Sequence, residues 1–150
     1  MVERSQRKAK KPDDTVELTN LLRKWQAIED GSVASTTQII ETTKNPLIRL
    51  VMEIIRQDSV MHKRVQQFMI DSLEKEAVTL TPEELGEIWE SLERHAELEK
   101  ETIRLADEAR KNCRFFVQRH LLTYLVEDEQ LHDRLLGQLE DFKRRIYPYA

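Results

Sequence analysis

Apolar residues recur along this chain at alternating steps of three and four, the spacing that gathers them on one face of an α-helix. Four such stripes can be written. The first is Leu18, Leu22, Trp25, Glu29, Ser32, Thr36 and Ile39, and the second is Leu47, Val51, Ile54, Asp58, Met61, Val65, Phe68 and Ser72. The third is Leu85, Ile88 or Trp89, Leu92, His95 or Ala96, Glu99, Ile103 and Ala106. The fourth is Leu122, Leu125, Asp128 or Glu129, His132, Leu135 or Leu136, and Leu139. They predict helices from about Thr15, from Pro46 to about Glu76, from Pro82 to about Arg110, and a last one ending near Ile146.

The links are short: Thr42 to Pro46, Ala77 to Thr81, and Lys111 to Cys113. Proline keeps the residue before it out of the helical region yet suits the first helical position, so Pro46 and Pro82 read as helix starts. Thr81-Pro82-Glu83-Glu84 is the sequence of a capping box. On this pattern the fold class is all-α, a four-helix bundle, with Trp25, Met61, Phe68 and Trp89 as plain core.

Composition agrees with long helices. There are 3 Gly and 4 Pro against 39% hydrophobic and 35% charged residues, which leaves few turn makers for a β fold. The 150 residues suit one domain, read here as residues 15–150. Residues 1–14 carry Arg4, Arg7, Lys8, Lys10 and Lys11 with nothing to pack, and read as a disordered basic tail. A net charge of −4 gives no bulk attraction to nucleic acid or an anionic membrane. Cys113 is the sole cysteine, so the chain has neither an internal disulfide nor a CxxC metal site. No apolar run has the length of a membrane span or a signal-peptide core, and the expected location is the cytoplasm. No glycine-rich phosphate loop, Gly-x-Ser-x-Gly or basic–aromatic patch is present, which removes positive support for nucleotide, hydrolase and nucleic-acid functions.

The candidate chemistry lies where the stripes are interrupted. Glu29, Asp58 and Glu99 fall where the period calls for apolar residues, and Asp128, Glu129 and His132 do so in the fourth stripe. His62 stands four residues after Asp58, and His95 four before Glu99, so each pair shares a helix face. The chain also resembles itself at an offset of 70: Glu29 falls on Glu99, Asp58 on Asp128, His62 on His132, and Leu22 on Leu92. With a rise of ~1.5 Å per residue, Glu29 and His62 both lie ~25 Å from the first turn, and Glu99 and His132 lie ~20 and ~28 Å from the third. The groups can meet in one layer. Carboxylates buried there need partners: metal ions, a shared proton, or imidazoles.

With Glu29, His62, Glu99, Glu129 and His132 in view, the chain resembles the ferritin-like group, which includes the rubrerythrins. In that group two helices each give one Glu and two give Glu-x-x-His around a di-iron or similar centre. Glu129-Gln130-Leu131-His132 matches one Glu-x-x-His, and Glu29 and Glu99 match the lone glutamates. The resemblance implies metal ligation by Glu29, Asp58, His62, His95, Glu99, Glu129 and His132. It implies iron, as a pair or a single ion, with manganese or zinc as alternatives. It implies reduction of peroxide or dioxygen, or oxidation of ferrous iron, together with an electron-transfer partner and a homo-oligomer, most simply a dimer.

Two departures qualify the match. Ser59 stands where the first Glu-x-x-His has its Glu, leaving Asp58 as a substitute and His95 as an additional ligand. The link Ala77 to Thr81 spans at most ~18 Å, too short for the long crossover of ferritin-like bundles. It implies an up-down-up-down bundle or hairpins exchanged between subunits. The His95-x-x-x-Glu99 fragment also resembles hemerythrin-like bundles, whose centre uses about five histidines where this chain has 4. The alternative from another class is a non-catalytic helical module for partner binding or oligomerisation, its polar layer fixing register.

Overall fold

The computed structural model describes residues 12–146. The all-α, four-helix class read from the stripes is the class observed. The helices are α1 (Pro12–Thr42), α2 (Pro46–Glu74), α3 (Pro82–Asn112) and α4 (Phe116–Ile146), with no strand among the described residues. Of the basic tail, residues 1–11 lie outside the described residues, while 12–14 belong to α1. Pro12 supplies a favoured first residue, and Asp14 complements the positive helix end. No helix among the described residues is long and apolar enough to cross a membrane.

The helix ends follow local chemistry. Asn45 caps α2, its side chain accepting from the N–H groups of Leu47 at 2.9 Å and Ile48 at 3.2 Å. Thr81 forms the expected capping box: its hydroxyl accepts from the Glu84 N–H at 3.1 Å, and the Glu84 carboxylate accepts from the Thr81 N–H at 2.8 Å. Thr81→Ala should therefore lower stability by about 1 kcal/mol, read as a drop in the chemical-denaturation midpoint at unchanged slope. Two ends differ from the sequence reading. Helix α2 stops at Glu74, where the N–H groups of Lys75 at 2.8 Å and Glu76 at 3.2 Å both donate to the Asp71 carbonyl and close the last turn. Helix α3 runs on to Asn112, since Lys111 and Arg110 both pair with Asp107, 2.6 and 2.7 Å away, and favour the negative helix end.

The chain divides into two compact units, residues 1–77 and 78–150, each an antiparallel helical hairpin. In the first, Arg23 meets Glu74, Gln26 meets Gln67, and Ser32 meets Ser59, so numbers rise on α1 as they fall on α2. The half-buried and buried positions of α1 include Thr19, Leu22, Gln26, Glu29, Val33, Thr36 and Ile40; those of α2 include Met52, Arg56, Ser59, Lys63, Gln66 and Ile70. Both sets alternate steps of three and four, the seam of a coiled-coil-like pair.

The second hairpin repeats this arrangement at an offset of 70. Its seam runs through Trp89, Leu92, Ala96, Glu99, Ile103, Ala106 and Arg110 on α3, and through Leu122, Val126, Glu129, Asp133, Leu136 and Glu140 on α4. Helices α1 and α3 each contain 31 residues and begin and end at equivalent places. The repeat visible in the sequence is thus a repeat of structure.

The core expectation needs correction. Trp25 is 52% exposed, Met61 50% and Phe68 62%. Two helices in contact bury only a narrow seam. On α2 the true seam is displaced by about one residue from the apolar stripe. Ser59, Lys63 and Gln66 lie within it between Met52 and Ile70, and Met61, Val65 and Phe68 flank it. The buried threonine hydroxyls are satisfied locally: Thr19 donates to the Thr15 carbonyl at 2.8 Å and Thr36 to the Ser32 carbonyl at 2.7 Å.

Candidate metal centre

Seam position decides which of the candidate side chains meet. Glu99 on α3 and Glu129 on α4 both occupy the seam of the second hairpin, and His132 follows Glu129 by three residues, on the same side of its helix. One ligand atom from each of Glu99, Glu129 and His132 lies within 4.8 Å of the others. His132 Nδ1 is 3.2 Å from Glu129 Oε2 and 3.6 Å from Glu99 Oε2. His95, one turn before Glu99, places Nε2 2.8 Å from the other oxygen, Oε1. Asp128 stands behind, its Oδ2 3.7 Å from His132 Nε2. His95, Glu99 and His132 form one end of an open groove that continues along Leu135, Leu139 and Phe142.

Glu99 is buried, at 7% exposure. Its Oε2 has no hydrogen-bond partner although it is cut off from water. A buried anionic oxygen left in this way is costly, and a cation among the three side chains would relieve it. Two carboxylates and an imidazole are an ordinary donor set for a first-row transition ion.

The two glutamates titrate unequally. Glu99 is held below the ordinary carboxyl range, foremost by Glu129 and further by His132 and His95, against the opposing effect of burial. Glu129 is pushed up, foremost by facing Glu99 and then by burial. The two carboxyls therefore titrate in sequence, Glu99 at lower pH than Glu129. Linkage gives the consequence for the metal-free protein. Glu129 binds its proton more tightly when folded, so its contribution is complete below the ordinary glutamate value and is lost as pH rises through the raised one. Glu99 behaves oppositely: its contribution is present above the ordinary value and is lost as pH falls through the depressed one. Thermal melts in chelator should show stability falling as pH climbs through the Glu129 titration. Glu129→Gln should flatten that limb.

The first hairpin assembles less. Glu29 is buried, and its Oε1 lies 3.2 Å from His62 Nδ1. Asp58, expected to stand in for the missing glutamate, is exposed and about 100° around the helix from the seam. The seam position belongs to Ser59, which is buried and donates to the Ser32 hydroxyl at 2.9 Å. This serine pair was not anticipated: the apolar stripe runs through Asp58, and only the superposition of Ser59 on Glu129 could have revealed it. His120 is exposed and packs edge-on against Phe116 at a centroid distance of 4.6 Å.

The seven candidate ligands therefore form a Glu99–Glu129–His132 cluster flanked by His95, a Glu29–His62 pair, and an outlying Asp58. No family model, curated protein or solved structure matches this chain, so its chemistry rests on the geometry of these side chains.

Proposed function

We propose that this protein is a metal-binding helical protein whose second hairpin holds a first-row transition ion through Glu99, Glu129 and His132, with His95 fixing the second oxygen of Glu99. The observation that carries the reading is the buried Glu99 Oε2, without a hydrogen-bond partner and facing an imidazole and a second carboxylate. Mixed oxygen and nitrogen donors suit iron, manganese or zinc. The ferritin-like resemblance favours iron, which would supply one-electron chemistry toward dioxygen or peroxide, or undergo oxidation itself. Reduction of peroxide would call for an external electron donor. The residues of the chain hold the ion, and because the ligating forms are the ionised carboxylates and the neutral imidazole, binding strengthens as pH rises through their titration.

The test is elemental analysis of the full chain, purified without oxygen from iron-replete cells, beside a His132→Ala variant. Metal in the parent and its loss in the variant support the reading, and a parent free of metal sinks it.

The exposed apolar residues favour the other expectation, self-association. Trp25, Ile28, Phe68 and Leu98 are all more than half exposed, and apolar groups spread along helix faces mark contact surfaces. A second copy of the chain is the proposed occupant. Light scattering should give about twice the 17.8 kDa chain mass.

A further inference from the structure

We propose that the halves of the repeat have parted in chemistry, so that the second hairpin takes a metal ion and the first does not. This rests on the metal reading above. Superposed at the offset of 70, the two hairpins share the buried glutamate (Glu29 and Glu99) and the histidine (His62 and His132). They differ at two places that decide whether an ion is held. Ser59 replaces Glu129, and Trp25 replaces His95. The second hairpin therefore offers three clustered ligand atoms with His95 beside them. The first offers two.

The serine substitution also closes the first hairpin to an ion. Ser59 donates to Ser32 across the seam, filling the place between the helices. In the second hairpin the residue equivalent to Ser32 is Thr102, which turns its hydroxyl back to the Leu98 carbonyl at 3.0 Å and leaves Glu129 to face Glu99. The buried carboxylates bear the same mark. Glu99 keeps an oxygen without a hydrogen bond, whereas no oxygen of Glu29 is left in that state. The first hairpin has settled its buried charge with His62 and holds register; the second keeps an open coordination site.

Cobalt(II) titration of the metal-free full chain tests this, with cobalt per chain measured after gel filtration. The parent should bind one ion per chain. Glu29→Gln and His62→Ala should each still bind one, Glu129→Ser should bind none, and Ser59→Glu should bind two. If Ser59→Glu fails to fold, the first three variants still decide the matter. Two ions in the parent, or loss of the single ion in Glu29→Gln or His62→Ala, overturns the division between hairpins while leaving metal binding intact. A parent that binds no cobalt overturns the metal reading and this inference with it.

Discussion

Glu129→Gln is expected to abolish the stabilisation of this protein by metal while making the metal-free protein no less stable. An ion bound only by the folded state at about a hundred times its dissociation constant adds ~2.7 kcal/mol. Here it would link α3, through Glu99, to α4, through Glu129 and His132. Removing one of three protein ligands should weaken binding by ~100-fold or more, since even changes beyond the ligands cost 10–100-fold. The thermal shift on adding iron(II) or cobalt(II) should then vanish at concentrations that saturate the parent. The metal-free comparison separates ligation from packing. Glutamine keeps the shape of Glu129 and removes the carboxyl held against Glu99. The variant's melting temperature in chelator should match or exceed the parent's at neutral pH. His132→Ala should lose the metal shift as well, and Asp58→Asn, at an exposed position off the seam, should keep it. A variant Glu129→Gln that retains the full shift would remove Glu129 from the centre.

The architecture was largely open to reading from the sequence, because long helices announce themselves through period and caps. Pro46, Thr81 and Pro82 mark starts that the structure reproduces, and the offset of 70 marks a duplication that the seam follows position by position. The side-chain orientations were harder. An apolar stripe gives the mean direction of a helix's greasy face. A hairpin seam is narrower and needs residues small enough for close approach, so it can run along the edge of that face. On α2 the difference is one residue, and it turns Asp58 outward and Ser59 inward. On α3 the stripe and the seam coincide at Leu92, Glu99, Ile103 and Ala106, so the stripe points Glu99 into the seam. The cluster is therefore legible on the second hairpin, and on the first the Glu29–His62 pair is legible while the outward turn of Asp58 is not. The discriminating signal was the superposition of Ser59 on Glu129 rather than the stripe.

Gln66→Leu is expected to stabilise the first hairpin, and the repeat says why. Gln66 is 2% exposed and is the largest fully buried side chain among the described residues. Neither its Nε2 nor its Oε1 has a hydrogen-bond partner. An amide buried without partners costs roughly 1–3 kcal/mol, against the ordinary gain from burying an alkyl group of similar size. The equivalent seam position on α4 is Leu136, half-buried in the same setting, so the hairpin frame already accommodates leucine. The seam neighbour Ile70, also 2% exposed, offers an apolar wall. The expected result is a gain of about 1–2 kcal/mol, seen as a higher denaturation midpoint with unchanged slope. Gln66→Ala serves as the control. It removes the same unpartnered amide but leaves a cavity, whose cost should cancel or exceed the gain. A loss of stability in Gln66→Leu similar to that in Gln66→Ala would mean that the amide is satisfied in solution, by ordered water reaching the seam. Metal binding should be indifferent to either change, because Gln66 belongs to the hairpin that carries only the Glu29–His62 pair. A stabilised Gln66→Leu with unaltered metal content would show that the seam of the first hairpin sets register and stability, separately from the cluster on the second.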